Sequence, residues 1–310
     1  MNEATEAARH WDATITAELR NRENAVYALR LPDGSRAALR LHRLGYQTEA
    51  AIRSELWWCR EMAARRLRVP APLPDTQGDL LPALSTGRLA SVVSWIDGDP
   101  FGEAGVPLPG SRAERLARHR ALGVLLARIH HTTDTLLLPD DFSRPQWDID
   151  GLVGETPFWG RFWEHPLLSA EDAATLTRAR AFLRERLLDH AAPLGLVHAD
   201  VLRENILVTN AGLALIDFDD SGFGYRLYDL GTVLSQDLYE PDRPALQAAL
   251  IEGYASLCPI DAGMVPVFTL ARVLASVGWV APRLPLDHPV HRSHIARAVM
   301  WARHVMAGGA

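Results

Sequence analysis

The stretch from Leu196 to Asp220 constrains this chain more than any other part of it. An apolar run (Leu194, Leu196, Val197) leads into His198-Ala199-Asp200, and Asn205 follows five residues beyond that aspartate. Ile206-Leu207-Val208 reads as a strand and Asn210-Ala211-Gly212 as a turn. Leu213 to Ile216 reads as a returning strand that ends on Asp217. Asn and Gly tolerate the positive φ of a tight turn, so an antiparallel hairpin is expected here. It would bring the segment carrying Asp200 and Asn205 next to Asp217. Two carboxylates and an amide oxygen at this spacing suit phosphoryl transfer. One carboxylate accepts the proton of an attacking hydroxyl, while the amide oxygen and the second carboxylate hold Mg²⁺ on nucleotide phosphates. The bland alternative is a hairpin whose polar side chains cap turns and face water.

Composition narrows the chemistry. The chain of 310 residues contains no lysine, so all 32 Lys+Arg positions are arginine. A Walker A loop, Schiff-base chemistry and S-x-x-K acylation all need lysine and are excluded. A net charge of -6 argues against a nucleic-acid footprint. The two cysteines, Cys59 and Cys258, form neither a disulfide framework nor a C-x-x-C metal site and suggest a reducing cytoplasm. The N-terminal MNEATEAARH lacks the basic start and apolar core of a signal peptide. Val265 to Pro282 is apolar but interrupted by Arg272, and reads as a core helix rather than a membrane span.

His198-x-Asp200-x-x-x-x-Asn205 followed by Ile216-Asp217-Phe218 resembles the catalytic and metal-binding loops of the aminoglycoside phosphotransferase and choline kinase group. Asp219-Asp220-Ser221-Gly222-Phe223-Gly224 and Tyr228-Asp229-Leu230-Gly231 look like its subset of bacterial small-molecule kinases and a stress-response Ser/Thr kinase. The resemblance implies an α+β, protein-kinase-like two-lobed fold. A small β-rich nucleotide-binding lobe would occupy residues 1–96, and a larger, mainly helical catalytic and acceptor-binding lobe residues 97–310. It implies ATP and Mg²⁺ as cofactors, Asp200 as the catalytic carboxylate and Asn205 and Asp217 as metal ligands. Asp229 would brace the catalytic loop and His198 would fix it. Aligning RAALRLHR with the family places Arg40 where kinases carry lysine, oriented by Glu55 of the following helix. Arginine holds phosphate oxygens in bidentate fashion but reaches differently from lysine. Backbone groups around Ser94 to Ile96 would bind adenine. The loop Asn21 to Asn24 matches the family's S-x-E-N over the phosphates, without glycine and with Asn21 in the place of Ser.

Other elements follow from pattern. Ala4 to Trp11 reads as a helix, Ala25 to Leu29 and Arg36 to His42 as strands, and Glu49 to Arg66 as a helix capped by Thr48. Val69 to Pro74 is a proline-blocked connector, and Gly87 to Ile96 a buried strand. Helices are expected from Ser111 to His131, Ser169 to His190, Arg226 to Leu238, Pro244 to Ser256, Ala262 to Val280 and His288 to Met306. His130 and His131, at a helix end, read as structural. The aromatics from Phe142 to His165 serve either as packing of an insert or as a wall of the acceptor site. Arg203 either supplies positive charge at the transferred phosphate or faces solvent, and Asp219 either assists the metal or caps a turn.

The expected activity is transfer of the γ-phosphoryl group to a hydroxyl of a small molecule such as an amino alcohol, sugar or antibiotic, with no nucleic-acid or membrane partner. From Met264 onward Arg272, Arg283, Arg292, Arg297 and Arg303 face a single acid, Asp287. That tilts the acceptor away from polycationic aminoglycosides and towards a neutral, zwitterionic or anionic alcohol. The same residues would also serve a Ser/Thr protein kinase of the stress-response type, while the absent lysine fits a nucleotide-binding pseudokinase. A metal-dependent hydrolase could use the acidic cluster, but would need neither the Arg40–Glu55 pair nor a hinge strand.

Overall fold

The computed structural model describes residues 2–21, 24–190 and 194–309, with only the backbone of Arg20 and Asn21. Arg22 and Glu23, central to the expected phosphate-covering loop, lie outside the described residues. The chain forms two compact units. The first comprises Met1–Asp99, Leu136–Arg144 and Leu207–Asp219, and the second Pro100–Thr135, Pro145–Ile206 and Asp220–Ala310. A single boundary does not describe this division, because two later segments return to the first unit.

The first unit is built on a five-stranded antiparallel sheet. Its strands are β1 (Thr14–Asn21), β2 (Ala25–Arg30), β3 (Arg36–Leu41), β4 (Pro72–Leu73) and β5 (Ala90–Ser94), in the order β1-β2-β3-β5-β4. Alternation along β3 buries Ala37, Leu39 and Leu41 and turns Arg36, Ala38 and Arg40 to the other face. Helix α1 (Glu3–Arg9) contributes Ala4, Ala7 and Ala8 to the core with Ala37, Leu39, Leu41 and Val92, and Trp11 joins them. Helix α2 (Glu49–Ala64) is capped by Thr48, whose side chain accepts from Ala51 N. The proline-rich connector was expected to stay out of the sheet, yet Pro72 pairs with Val93 in β4. β4 is an edge strand, the place where a residue without an N–H is tolerated. At the Asn210-Ala211-Gly212 turn only Gly212 takes a positive φ (113°), so the left-handed demand falls on the glycine and not on Asn210.

The second unit is mainly helical: α3 (Arg112–Thr133), α4 (Ile149–Val153), α5 (Ala170–Asp189), α6 (Leu227–Ser235), α7 (Arg243–Ala255), α8 (Val265–Val280) and α9 (Val290–Met306). A reciprocal capping box between Ser111 and Glu114 starts α3, and Ser169 caps α5. Residues Ala262–Val280 are long and apolar enough to cross a membrane, but 89% of that window is buried inside the protein. Short strands Gln146–Trp147, Gly222–Gly224 and Gly195–Val197 form a small sheet with Gly222–Gly224 in the middle.

Helices α3 and α7 approach through glycine on both sides. A Cβ on Gly123 would lie 2.1 Å from Leu250 O, and one on Gly253 would lie 2.0 Å from Arg120 O. Either contact forces backbone apart. Gly253→Ala is expected to destabilise the protein by about 1–3 kcal/mol, the usual cost of overpacking. Thermal denaturation checks this, and an unchanged midpoint would mean that the helices are not held this closely.

Candidate active site

In the first unit, one guanidinium gathers three carboxylates. Arg40 Nη1 donates to Glu55 Oε1 at 2.8 Å, and Nη2 donates to Asp217 Oδ1 at 3.0 Å. Nη1 also lies 3.6 Å from Asp219 Oδ1. The Arg40 side chain is 18% exposed and that of Glu55 4%. Burial alone would lower the Arg40 pKa, but Glu55, Asp217 and Asp219 outweigh it and raise it further above the ordinary range. Burial pushes the Glu55 carboxyl up against the pull of Arg40, with the negative charge of Asp219 adding to the rise. Glu55 sits on the buried stripe of α2 among Ile52, Leu56, Trp58 and Cys59, so it is held there by packing as well as by charge.

Asp217 itself takes a left-handed φ of 65°, a conformation uncommon for residues other than glycine. Its neighbours hold it. Phe218 is buried edge-on against Trp58, with ring centroids 5.3 Å apart. Arg144 donates to Ala51 O, Phe218 O and Asp219 O at 2.9, 3.1 and 2.6 Å. Asn24 joins the same group, donating to Asp219 Oδ2 at 2.9 Å and accepting from Arg43 N at 2.9 Å. Asp219 is therefore neither a free turn carboxylate nor remote from the site. At the expected hinge, Ser94 N–H donates to Ala71 O at 2.8 Å and Ser94 Oγ accepts from Ala71 N at 2.9 Å. The half-buried Trp95 and Ile96 leave the sheet beyond it. Trp95 is stacked under Arg36, its centroid 3.9 Å from the guanidinium carbon.

In the second unit, a fully buried carboxylate shapes the loop before Asp200. Asp229 accepts from His198 N at 2.9 Å, Ala199 N at 2.7 Å and His130 Nε2 at 3.0 Å. Ala199 has φ 64°, a conformation that costs an L-residue about 1–2 kcal/mol. Two charge-assisted backbone bonds offset that cost. His130 also bonds the Tyr254 hydroxyl, and His198 Nδ1 accepts from Asp200 N, so both histidines are structural. Asp200 is then presented with each oxygen partnered. Arg272 Nη2 donates to Oδ1 at 2.7 Å, and Asn205 Nδ2 donates to Oδ2 at 2.9 Å and to the Asp200 carbonyl at 2.9 Å.

Arg272 was not recognised from sequence as a partner of Asp200. It lies over the Trp159 ring, 4.4 Å from the centroid, and Trp159 packs edge-on against the buried Trp147 at 4.9 Å. The aromatic insert is thus packing that also supports an arginine at Asp200. Arg203 meets neither expectation: it is buried, donating to Asp237 Oδ1 at 2.7 Å, Glu240 Oε1 at 2.8 Å and Val106 O at 2.7 Å. Its charge is committed to those carboxylates.

Each unit has a side chain with an oxygen left over for a hard cation. Asn205 uses its amide nitrogen on Asp200, and no described donor reaches its carbonyl oxygen. Asp217 gives one oxygen to Arg40 and keeps the other unbonded on a side chain that is 37% exposed. Among the described residues no group of three or more His, Cys, Asp or Glu side chains could hold a metal by itself.

These features define a protein-kinase-like phosphotransferase. The chain belongs to the phosphotransferase enzyme family (APH), whose model matches residues 15–265. A homoserine kinase of Agrobacterium fabrum is 28% identical over 215 residues, 64% of this chain and 58% of that protein. The match thus spans less than two thirds of that kinase's length. A microcompartment-associated aminopropanol kinase has 27% identity and a TM-score of 0.85, covering 98% of this chain and 97% of its own. An amicoumacin kinase in complex with AMP-PNP, Ca²⁺ and Ami has 19% identity and a TM-score of 0.74, covering 96% of this chain and 88% of its own, and shows the fold.

Removing Arg40 leaves three carboxylates without their shared cation. Arg40→Ala is expected to cost about 3–5 kcal/mol, and Arg40→Lys less, since an ammonium keeps the charge but not the fork. Glu55 already has a raised pKa, and the Ala variant raises it further. Stability that depends on the protonated acid is present at low pH and lost as pH rises through the folded pKa. The gap between wild type and Arg40→Ala should therefore widen from acid to neutral pH. Denaturation midpoints across that range check this, and a gap that narrows instead would contradict it.

Proposed function

We propose that this chain is an ATP- and Mg²⁺-dependent kinase that transfers the γ-phosphoryl group to a hydroxyl of a small molecule. The observation that carries the reading is Asp200, held by Arg272 and Asn205 in a loop shaped by the buried Asp229. A carboxylate so fixed can orient a hydroxyl and accept its proton, and a loose phosphoryl transfer asks for positioning more than for a strong base. Asn205 and Asp217 would hold Mg²⁺, which when bound with the nucleotide neutralises phosphate charge. Arg40, oriented by Glu55, would contact the α and β phosphates in place of lysine. The backbone around Ser94 to Ile96 would receive the purine, with the Ser94 N–H already committed to Ala71. Retention of the Arg40–Glu55 pair supports an active kinase over a pseudokinase. The named activities of the homoserine and aminopropanol kinases support a small-molecule acceptor over a protein. Cys59 and Cys258 are free and buried, in keeping with a reducing cytoplasm.

An ATP-consumption screen across amino alcohols, hydroxy amino acids, sugars, nucleosides and antibiotics tests the proposal. Absence of acceptor-dependent ADP release across these classes would count against it. With an active acceptor, Asp200→Asn is expected to retain ATP binding and lose at least about a hundredfold in turnover. Near-wild-type turnover would remove Asp200 from the role.

Asn205→Ala and Asp217→Ala are each expected to raise the Mg²⁺ concentration needed for half-maximal rate. Asp217→Ala should do so more strongly, because a charged ligand is lost. Superimposable Mg²⁺ titrations for the three proteins would place the metal elsewhere.

A further inference from the structure

The arginines on and between the last two helices differ in their surroundings, and Arg292 of α9 is exposed to solvent. Arg303 pairs with Glu171 at 2.7 Å on the surface, and Arg283 donates to Trp279 O at 3.0 Å. Arg272 is buried against Asp200 and Trp159. Arg297 stands apart from these. It is half-buried on α9 with its Nε enclosed and without a partner, and no hydrogen bond or ion pair reaches its guanidinium among the described residues. The cation that bears on it is Arg272, against a smaller, opposite effect of the exposed Tyr239 phenol. Burial first, then Arg272, lowers the Arg297 pKa to about 10. His294, one turn earlier on α9, is lowered to about 4 by burial and by Arg297 and is neutral, with its ring bonded to Ser276 O at 3.2 Å.

The local charges do not balance. Arg272 and Arg297 contribute two positive charges, His294 none, and Asp200 one negative. A half-buried guanidinium with an enclosed, unpartnered Nε beside a second cation is better satisfied when an anion completes it. Arginine is the side chain best shaped to do so, since its fork matches a carboxylate in two parallel hydrogen bonds. Ser276 ties the two helices together here, its carbonyl bonded to the His294 ring at 3.2 Å and its hydroxyl accepting from Arg272 Nη1 at 3.5 Å. This turn of α9 thus lies against the turn of α8 whose Arg272 holds Asp200, and such an anion would belong to a molecule whose hydroxyl reaches Asp200.

We propose that Arg297, backed by Arg272, recognises a carboxylate on the acceptor, so that the preferred substrates are hydroxyl-bearing carboxylic or amino acids rather than simple amino alcohols or polycationic antibiotics. This rests on the kinase reading above and names its substrate class. Arg297 binds the acceptor and takes no part in moving the phosphoryl group.

The test uses the full chain with AMP-PNP and Mg²⁺, so that binding is read without turnover. L-homoserine, L-serine, D-glycerate and 4-hydroxybutyrate are titrated by calorimetry, alongside 1-amino-2-propanol and 1,4-butanediol as alcohols without a carboxylate. At least one carboxylate is expected to bind about a hundredfold or more tighter than either alcohol without a carboxylate, because those alcohols leave the guanidinium of Arg297 unmatched. Arg297→Gln should weaken that carboxylate at least tenfold with AMP-PNP affinity unchanged, and Arg297→Lys should restore part of the loss. In turnover the Gln variant should raise KM and leave kcat nearly unchanged.

Failure of all four carboxylates to bind, or equal binding of the alcohols, overturns the proposal. An Arg297→Gln change that weakens AMP-PNP instead assigns the arginine to nucleotide phosphate and also overturns it. Arg297-dependent carboxylate binding without any ADP release would leave the anion site standing and remove the kinase reading. ADP release only with the alcohols that lack a carboxylate would do the reverse.

Discussion

The buried carboxylate of Asp229 is the constraint on which the second unit's chemistry depends. Unpaired, a carboxylate at full burial would be severely destabilising. It is tolerated because His130 and two consecutive backbone N–H groups, of His198 and Ala199, supply donors. Consecutive N–H groups can point at one carboxylate only when the chain between them turns, and Ala199 is accordingly in the left-handed region. The turn that satisfies Asp229 is the turn that aims Asp200. The bonds that hold the fold here are the same ones that set the orientation of Asp200, and a change at His130 would be felt at Asp200 without touching it.

The first unit solves the converse problem, with an excess of carboxylate rather than a shortage of donors. Glu55, Asp217 and Asp219 come from a helix and from the segment after a hairpin, and their mutual repulsion would open the site. Arg40 reaches all three because a guanidinium presents donors in several directions at once. Arg144, 3.8 Å from the other oxygen of Glu55, supplies a second positive charge to the same group. The left-handed Asp217 is held from the other side by Phe218 in the core and by Arg144 on the carbonyl oxygens of Phe218 and Asp219.

What was legible in the sequence follows from how far each interaction reaches along the chain. Helices α2, α3 and α5 have caps and apolar periodicity within a few residues, and their ends fall within two residues of the pattern. The loop residues Asp200, Asn205 and Asp217 are close in sequence and carry a family resemblance. Long-range partners left no such trace. Arg272 is 72 residues from Asp200 and looked like an interruption in an apolar helix. Arg203 was judged by its neighbour Asp200, whereas its charge is fixed by Asp237 and Glu240. Pro72 pairs in a sheet because the edge of the sheet happens to fall there, which local proline chemistry does not reveal.

The absence of lysine then acquires a structural meaning beyond the one position where kinases use it. Arg203 bonds two carboxylates and a carbonyl from one buried head, and Arg144 bonds three carbonyls. Arg272 bonds Asp200 while its flat face rests on Trp159. Each uses planarity or several fixed donors, which a point-charge ammonium does not offer. A guanidinium also keeps its proton when buried, so these contacts survive without solvent to sustain the charge. Arg297 has the same donor geometry but is half-buried and lacks partners. Among the described residues the buried Arg144, Arg203 and Arg272 are each matched to acceptors within the fold, and the half-buried Arg297, with no such match, is where the proposed acceptor carboxylate would supply one.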